Sequence, residues 1–240
     1  MKKKFSSNKI WAIIPARSGS KSIKNKNLQK INDYSLVARA IIVAKKCKHI
    51  DRVFLSTDSL KIKKEGMKYN AEVPFLRSKK NARDVSTDYD VVKEFLFRIS
   101  TLEKIIPQYI LYLRPTTPIR SYKIIEKAIK KIKELKNYDS LTSVHKMAEP
   151  VHKKFFIKNN KLKSIFPKMS LDKSNGPRLN FPNSYTANGY LDIIKSDNVL
   201  QHKKYLYKKC FPFLVPETVD IDTKLDLTIA KFLTRNENYV

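Results

Sequence analysis

Short apolar runs alternate with longer amphipathic stretches along the first two-thirds of the chain. Residues 10–14 are apolar throughout and are followed by Pro15, which is typical of a strand buried on both faces. Residues 34–46 have apolar side chains at positions i, i+1, i+4, i+5 and i+8, so they predict a helix with one buried face. The same criteria predict strands at residues 52–56, 109–113, 141–144 and 190–194, and helices at 60–69, 88–99, 121–135 and 224–234. Residues 71–76 are predicted to be extended, and residues 211–215 form a further apolar piece.

This alternation predicts an α/β domain with a mainly parallel sheet and helices on both of its faces. Ligands bind such sheets beyond the carboxyl ends of the strands. Three of those ends are polar and carry groups suited to phosphate or nucleotide contacts, namely residues 15–21, 56–58 and 114–120. The sequence therefore places the candidate site at this edge of the sheet.

Between residues 146 and 186 the alternation stops, and the chain becomes rich in Lys, Asn and Pro with scattered aromatic residues. One hairpin is predicted there, with residues 155–157 as its first strand and residues 161–162 as its second. We interpret 146–186 as an inserted arm rather than a second globular domain. Residues 1–240 then form a single domain with one insertion, which is compatible with the length of the chain.

The chain carries 50 Lys and Arg against 22 Asp and Glu, a formal net charge of +28. Such a balance raises the question of nucleic-acid binding. The cations are spread along the whole chain rather than gathered in one block, so we interpret them as a solvated basic surface and expect no nucleic-acid partner. The same positive field would help to attract polyanionic substrates.

The number of cysteines and the hydropathy of the chain indicate the cellular compartment of the protein. Cys47 and Cys210 are the only cysteines, and they do not form a CxxC motif. Neither a disulfide scaffold nor a structural zinc site is therefore expected. No apolar run approaches the roughly 18 residues that a membrane span needs. These features predict a protein of the reducing cytoplasm without a membrane partner.

Glycine is scarce, with four in the whole chain, and one of them follows the first predicted strand. Gly19 lies between Ser18 and Ser20 and is flanked by Arg17 and Lys21. Small residues let backbone N–H groups approach phosphate oxygens, and two cations offset several negative charges. The loop matches neither a P-loop nor a Rossmann fingerprint. It predicts a binding site for a triphosphate.

Several segments, taken in order, resemble the signature of the acylneuraminate cytidylyltransferase family, whose members make CMP-sialic acids and related CMP-nonulosonates. Each segment alone is only moderately specific, whereas their common order over nearly the full chain is a strong signal. The segments are residues 14–27, 56–58, 74–77, 82–84, 113–120, 188–189 and 219–223, followed by Asp226.

This resemblance implies a three-layer, Rossmann-like nucleotidyltransferase fold. It also implies transfer of a cytidylyl group from CTP to the anomeric hydroxyl of a nonulosonic acid, with release of pyrophosphate. The loop after the first strand would hold the triphosphate, and two residues further along would place the cytidine. The residues expected at the nucleotide are Ala16, Arg17, Ser18, Gly19, Ser20, Lys21, Lys26, Asn27, Arg77 and Thr87.

The family pattern also implies a metal site at two acidic residues. Asp220 and Asp222 alternate on a predicted extended segment, so their side chains share one face. Two carboxylates beside phosphates suit an octahedral Mg²⁺ ligated by oxygen, with Mn²⁺ as a substitute. An acidic N-cap for the last helix is an alternative and compatible role. Together with Arg17 and Lys21, this pair forms the predicted catalytic set.

The sugar side is expected to contain Arg114, Thr116, Arg178, Asn188 and Gly189. Arg114 stands where many family members have Gln next to the sugar, which argues against N-acetylneuraminate itself. The extra cation would bind a different substituent of the sugar or form a second contact with an anionic group. Arg178 offers the bidentate fork that suits a sugar carboxylate. Asn188 and Gly189 could equally form a tight turn.

By the same resemblance, residues 146–186 correspond to the family's dimerisation segment, which predicts a homodimer whose arm reaches the neighbour's site. Two other functions stay open. One is a nucleotidyltransferase of the same fold that uses another nucleotide or sugar, such as GTP or a Kdo-like octulosonic acid. The other is a protein that binds nucleotides or nucleic acid without catalysis. Such a binder would have no use for Asp220 and Asp222 beside a phosphate loop.

Overall fold

The computed structural model describes residues 4–235 of the chain. The strands are β1 (Lys4–Pro15), β2 (Lys30–Ile31), β3 (Tyr34–Ser35), β4 (Arg52–Ser56), β5 (Ile105–Tyr112), β6 (Ser140–Lys146), β7 (Phe155–Lys158), β8 (Lys161–Ser164), β9 (Tyr185–Lys195) and β10 (Cys210–Leu214). The α-helices are α1 (Leu36–Lys45), α2 (Leu60–Met67), α3 (Asp88–Glu103), α4 (Tyr122–Glu134), α5 (Leu171–Asn175), α6 (Ser196–Leu200) and α7 (Lys224–Leu233). None of the described helices combines the length and the apolar character of a membrane span.

Six strands form the central sheet, in the order β10-β6-β9-β5-β1-β4. β1 runs parallel to its neighbours β4 and β5, and β10 runs parallel to β6. β9 lies antiparallel between β5 and β6. The predicted mainly parallel sheet is therefore confirmed, with β9 as its reversed strand.

Apolar clusters cover both faces of the sheet, and β1 contributes to each of them. Ile10 and Ile14 belong to the cluster that includes residues of α1 and α4. Trp11 and Ile13 belong to the opposite cluster, which includes residues of α3. Because neighbouring strand residues point to opposite faces, a strand buried on both sides must be apolar throughout. Each fully buried side chain of this kind contributes about 1.5–3 kcal/mol. The predicted three-layer arrangement is the one observed.

The extended piece predicted at residues 71–76 is not a strand of the sheet. Glu72 forms an isolated parallel bridge with Phe54 of β4. Pro74 follows two residues later and has no N–H to donate, so the ladder does not continue. The other predicted elements are present with shifted boundaries. The largest shifts are at the amino ends of β1 and β9, which begin in polar stretches that apolar periodicity does not detect.

The predicted arm leaves the domain at the end of β6 and returns at the start of β9, where Lys146 pairs with Tyr185. Between these residues lie the antiparallel hairpin β7–β8 and the short helix α5. The hairpin was predicted, and its turn residues Asn159 and Asn160 both have positive φ, as a two-residue type I′ turn requires. The arm exposes large apolar side chains, among them Phe156, Ile157, Leu162 and Leu179.

Candidate active site

A cavity of about 300 Å³ opens beyond the carboxyl ends of β1 and β5. Its walls come from the loop after β1, the loop before α3, the segment after β5 and the segment before α7. Its lining residues are Pro15, Arg17, Ser20, Lys26, Asn27, Arg77, Asn81, Arg83, Asp84, Ser86, Asp88, Val91, Tyr112, Arg114, Pro115, Thr116 and Asp222.

The loop after β1, residues 16–27, is called the β1 loop below and is held from two sides. Asp58, just beyond β4, accepts hydrogen bonds from the N–H of Ser18 at 2.8 Å and from its hydroxyl at 2.7 Å. Asn27 Nδ2 donates to the carbonyl of Arg17 at 2.9 Å. A Cβ built on Gly19 meets no described atom within 4 Å. The loop is therefore anchored while its tip keeps open space around the backbone.

Two cations of the β1 loop share one carboxylate. Arg17 Nη1 contacts one oxygen of Asp84, and Lys21 Nζ lies 2.6 Å from the other. The hydrogen bond from Lys21, followed by that from Arg17, lowers the pKa of Asp84 below its ordinary value. The Lys21 side chain is 85% exposed, so this pairing is weak and open to exchange.

Lys26 joins the β1 loop to residues 220–222, called the acidic segment below. The Lys26 side chain is buried, and its Nζ donates to the carbonyl of Ile221 at 2.7 Å and to Oδ1 of Asp222 at 3.0 Å. Ile221 is fully buried, whereas Asp220 and Asp222 on either side of it are exposed. One apolar residue thus points inward between two outward carboxylates, in agreement with the predicted alternation.

The start of α7 is capped by other residues than the acidic pair. Thr223 and Asp226 form a capping box there. Asp226 also accepts a hydrogen bond from the N–H of Asp222 at 3.0 Å. The N-cap role that the sequence offered as an alternative for Asp220 and Asp222 therefore belongs to Thr223 and Asp226. Neither carboxylate of the acidic segment takes part in this cap.

The acidic segment offers two oxygen ligands for a cation. Within residues 4–235, no three His, Cys, Asp or Glu side chains come together as a metal-binding group. A pair of carboxylates suits Mg²⁺, which keeps several waters and takes only one or two protein carboxylates. It does not suit structural zinc, which takes four protein ligands. The donor set therefore fits a hydrated divalent cation.

Arg77 is a buried cation on the cavity wall. Its backbone N–H donates to the carbonyl of Thr57 at 2.7 Å. Burial lowers the pKa of its guanidinium, and its Nε and Nη2 have no hydrogen-bond partner among the described residues. An unpaired buried guanidinium is costly, so these nitrogens are candidates for contact with a ligand.

The loop that follows Arg77 is tied to α3 by Glu94. Its carboxylate accepts hydrogen bonds from Ser78 N–H at 2.7 Å, Ser78 Oγ at 2.7 Å and Asn81 Nδ2 at 2.6 Å. Thr87 caps α3 in a capping box with Asp90. Thr87, which was predicted to place the cytidine, therefore has a helix-capping role and does not line the cavity.

Arg114 lies at the centre of a largely buried network, the Arg114 network, formed with Asp88, Tyr112, Asp192 and Tyr205. Arg114 donates to Asp88 through Nη2, and its Nη1 lies 2.9 Å from Asp192 Oδ2. Tyr112 donates to Asp88 at 2.8 Å and Tyr205 to Asp192 at 3.0 Å. Burial alone would lower the pKa of Arg114, but Asp192, Tyr205 and Asp88 raise it further than burial lowers it. The guanidinium is therefore fixed in its charged form.

Asn188 and Gly189 lie inside β9 and not in a turn. They fall where the pairing of β9 with β6 shifts register, between the pairs Val144–Ala187 and Thr142–Asp192. Gly189 has φ +68°, and a Cβ there would lie 2.9 Å from Thr117 Oγ1. Only glycine fits such a position without strain. The special backbone at this scarce glycine is thus a β-bulge.

Arg120 holds this bulge against the segment after β5. Its guanidinium is buried and donates to the carbonyls of Tyr190 at 2.6 Å, Arg114 at 2.7 Å and Gly189 at 2.9 Å. Burial lowers the pKa of Arg120. All three acceptors belong to the backbone, so Arg120 supports the shape of the cavity wall.

The sequence profile of the cytidylyltransferase family matches residues 11–227. The chain belongs to this family. A relative from Campylobacter coli, "Post-translational flagellin modification protein B", is 31% identical over 96% of this chain and 97% of its own. The "CMP-N,N'-diacetyllegionaminic acid synthase" of Campylobacter jejuni is 32% identical over 95% of this chain and 96% of its own.

A solved structure of CMP:2-keto-3-deoxy-manno-octonic acid synthetase complexed with CTP superimposes with a TM-score of 0.71. It is 14% identical and covers 94% of this chain and 98% of its own, so it supports the nucleotidyltransferase fold. The family match and the Campylobacter jejuni relative place the chain among the CMP-nonulosonate synthetases, which are nucleotidyltransferase enzymes.

In this cytidylyltransferase, the cavity brings together many of the residues singled out by sequence. Ala16 is instead buried in the core, and Asn188, Gly189 and Asp220 lie behind or beside the wall. Ser18, Gly19 and Lys21 stay on the exposed side of the β1 loop. The predicted residues that line the cavity are Arg17, Ser20, Lys26, Asn27, Arg77, Arg114, Thr116 and Asp222.

Arg178 does not join the cavity of its own chain. It lies in the arm, where its Nη1 donates to the carbonyl of Ala148 at 3.1 Å. The cavity-lining residues that sequence reasoning missed include two acidic ones, Asp84 and Asp88. Asp84 belongs to a segment that carried the family resemblance, and Asp88 follows the predicted Thr87. Their position in matched segments was the available signal, but no role had been given to them.

Proposed function

We propose that this cytidylyltransferase transfers a cytidylyl group from CTP to the anomeric hydroxyl of a nonulosonic acid, giving a CMP-sugar and pyrophosphate. The supporting observation is the single cavity that joins three groups of residues. The β1 loop supplies Arg17 and Ser20, the segment after β5 supplies Arg114 and Thr116, and Asp222 lies on the same cavity. A site for two substrates needs such a shared space, because the attacking hydroxyl must reach the α-phosphorus in line.

Charge neutralisation would come from the β1 loop. Arg17 and Lys21 would exchange the carboxylate of Asp84 for phosphate oxygens, since both pairs are exposed. Ser20 and Asn27 would fix the loop around the triphosphate, and Arg77 would use its unpaired nitrogens toward the nucleotide. Positioned cations of this kind stabilise the charge that develops on the leaving pyrophosphate.

The acidic segment would hold the metal. Asp220 and Asp222 are the proposed ligands of Mg²⁺, with Mn²⁺ able to replace it. The bound ion would offset the charge on the phosphates and orient them. Lys26, which donates to Asp222 Oδ1, keeps that carboxylate beside the β1 loop.

An acylated nonulosonic acid is the proposed sugar. The Campylobacter jejuni relative is named for N,N'-diacetyllegionaminic acid, and its match covers nearly the whole of both chains. This relation favours a nonulosonic acid over a Kdo-like octulosonic acid, because the solved octulosonic acid enzyme, at 14% identity, supports the fold alone. A cytoplasmic location is part of the same proposal.

The arm, residues 146–186, is the proposed dimer contact. Phe156, Ile157 and Leu179 are exposed there, and exposed apolar patches of this kind commonly mark protein interfaces. In such a dimer Arg178 would reach the sugar of the partner's cavity. Sedimentation of the full chain over a concentration series measures the oligomeric state, and a monomer at all concentrations would remove this part of the proposal.

The proposed reaction is tested by measuring pyrophosphate release with the four nucleoside triphosphates and a panel of sugar acids. The panel contains N,N'-diacetyllegionaminic, pseudaminic, N-acetylneuraminic and octulosonic acids. We expect release with CTP and an acylated nonulosonic acid, and only with Mg²⁺ or Mn²⁺ present. Release with GTP, or with the octulosonic acid alone, would favour the alternative substrate pair. No release with any pair would contradict the proposed reaction.

Two variants test the residues. Asp222→Asn and Lys21→Ala should each lower kcat by about 100-fold or more, as removal of one charge-stabilising group does. Both side chains are exposed, so the Tm should not change. Asp33→Asn and Lys61→Ala serve as matched exposed controls away from the cavity. Rates like wild type in both test variants would contradict the assigned roles.

A further inference from the structure

We propose that the outward face of α7 is a docking surface for an anionic lipid membrane. Four large apolar side chains are exposed on this helix and are called the α7 stripe below: Leu225 at 67%, Ile229 at 40%, Phe232 at 68% and Leu233 at 48%. Single exposed apolar side chains are normal on a protein surface, whereas a contiguous group marks an interaction site. This inference goes beyond the proposed reaction and does not depend on it.

The α7 stripe follows from the spacing of apolar residues along the helix. Leu225, Ile229 and Phe232 are four and three positions apart, so their side chains are neighbours on one face. Leu227 and Ala230 are buried in the apolar cluster that α7 forms with the domain. Leu225 and Ile229 lie two positions from Leu227, and Phe232 lies two positions from Ala230, a rotation of about 200°. The helix is therefore apolar on two opposite faces, and one of them is covered within residues 4–235.

Basic side chains border the α7 stripe. Lys224 and Lys231 are exposed, and each directly precedes a residue of the stripe. Arg235, just after the helix, is exposed as well. Asp226 is the acidic residue of the helix itself, and it is engaged with Thr223 in the capping box. An apolar stripe bordered by Lys and Arg is typical of helices that lie in the plane of a membrane surface.

A second copy of the chain matches the α7 stripe less well than a membrane does. The helix has 10 residues and is therefore about 15 Å long. Two such helices alone would bury less than the about 1,000 Å² that a stable interface needs. Both copies would also bring the same basic border and a formal charge of +28, and like charges repel. An anionic membrane needs no complementary groove, and its negative charge attracts the basic border.

Lying on a membrane differs from spanning it. None of the described helices could span a membrane, and the hydropathy of the sequence predicted no membrane partner. Average hydropathy does not detect a short helix whose outer face alone is apolar. Since α7 begins two residues after Asp222, which lines the cavity, docking through α7 would hold the cavity close to the lipid surface.

The apolar contribution is tested by co-sedimentation of the full chain with lipid vesicles. One set contains phosphatidylcholine alone, and the other contains phosphatidylcholine and phosphatidylglycerol in equal parts. We expect binding to the anionic set, and we expect Ile229→Ser combined with Phe232→Ser to weaken it about 10-fold or more. Leu60→Ser combined with Met67→Ser removes two exposed apolar side chains from α2. This matched control should bind like wild type.

Two outcomes of the vesicle experiment would overturn the proposal. Equal binding by the α7 and α2 variants would show that net charge alone holds the protein on anionic vesicles. No binding of wild type to either set would leave an acidic protein or a second copy as the occupant of the α7 stripe.

The basic border is tested with Lys224→Gln combined with Lys231→Gln. This variant should bind the anionic vesicles about 10-fold more weakly at low salt, and the difference should shrink as the salt concentration rises. Lys123→Gln combined with Lys130→Gln is the control, because it removes two exposed cations of α4 at the same seven-residue spacing. An equal loss of binding from both pairs would place the contact elsewhere on the surface and overturn the proposal.

A fluorescent variant tests whether α7 itself enters the lipid. Trp11 is the single tryptophan of the chain and is 3% exposed, so its emission should not respond to vesicles. In Phe232→Trp, we expect the emission to move to shorter wavelength when anionic vesicles are added, whereas Leu60→Trp should show no shift. A shift that needs no vesicles and grows with protein concentration would assign the α7 stripe to a second copy and overturn the proposal. None of these measurements requires turnover, so failure of the proposed reaction is a separate result.

Discussion

The cavity contains two ion-pair systems of opposite character. At one end Asp84 pairs with Arg17 and Lys21, whose side chains are 34% and 85% exposed. At the other end Arg114 pairs with Asp192, whose side chain is 6% exposed. Exposed pairs are weak and exchange partners, whereas a broken buried pair leaves a desolvated charge. The first end suits a ligand that must come and go, and the second suits a wall that must keep its shape.

The largest effect is expected at the buried end, from Arg120→Leu. This change leaves three backbone carbonyls without their donor, so we expect a loss of about 3–5 kcal/mol in the free energy of unfolding. At about 2–4 °C per kcal/mol, the Tm should fall by roughly 10 °C. Arg17→Leu at the exposed end is the matched control and should leave the Tm unchanged. Equal decreases in the Tm of the two variants, measured by calorimetry, would contradict the proposed difference between the buried and the exposed end of the cavity.

The two glycines give the next comparison. Gly189→Ala forces a side chain into positive φ beside Thr117 Oγ1, which should cost about 2 kcal/mol or more. Gly19→Ala meets open space and should stay within about 0.5 kcal/mol of wild type, while it raises the KM for CTP. Urea unfolding and initial rates measure the two effects. Equal stability of both variants would argue against the strained bulge.

A smaller effect is expected from Asp84→Asn. Without this carboxylate, Arg17 and Lys21 no longer have a competing anion, so affinity for pyrophosphate should rise by about 2- to 5-fold. The gain should shrink as salt concentration increases. Isothermal titration with pyrophosphate at two salt concentrations measures it. Weaker binding than wild type would mean that Asp84 supports the loop rather than competing for it.

The smallest effect is a dependence on pH. Burial raises the pKa of Glu94, but hydrogen bonds from Ser78, Asn81 and Arg98 outweigh it, so the net pKa lies below the ordinary 4.5. A lowered folded pKa means that the stabilisation is complete above pH 4.5 and is lost as the pH falls through the folded pKa. Glu94→Gln should therefore flatten the fall in stability below pH 4.5, in urea unfolding from pH 3 to 6. An unchanged slope would contradict this assignment.

Local pattern was enough to predict most of the fold. The apolar run of β1 and the one-sided apolar face of α3 are determined by neighbours in sequence. The antiparallel position of β9 was not predictable, because pairing with β5 and β6 depends on residues far away in the chain. The extended piece predicted at residues 71–76 forms only one bridge to β4, because Pro74 has no N–H with which to continue the ladder.

In the site, too, the features formed by residues close in sequence were predictable, and those formed by distant residues were not. The β1 loop was predictable, since Arg17, Gly19 and Lys21 are adjacent in sequence. The Arg114 network was not, because Asp88 and Asp192 meet Arg114 only through the sheet. Sequence therefore identified the cation at position 114 but not its two carboxylate partners, because Asp88 and Asp192 are distant from it in the chain.

The pairing of Lys146 with Tyr185 at the root of the arm has a consequence for how this enzyme can vary. Adjacent strands already hold the two ends of the insertion together, so the entropy of closing it changes only slowly with its length. The length of the arm can therefore vary at little entropic cost. A chimaera with a shorter hairpin between these two residues would keep the strand register that aligns Gly189 and Asp192.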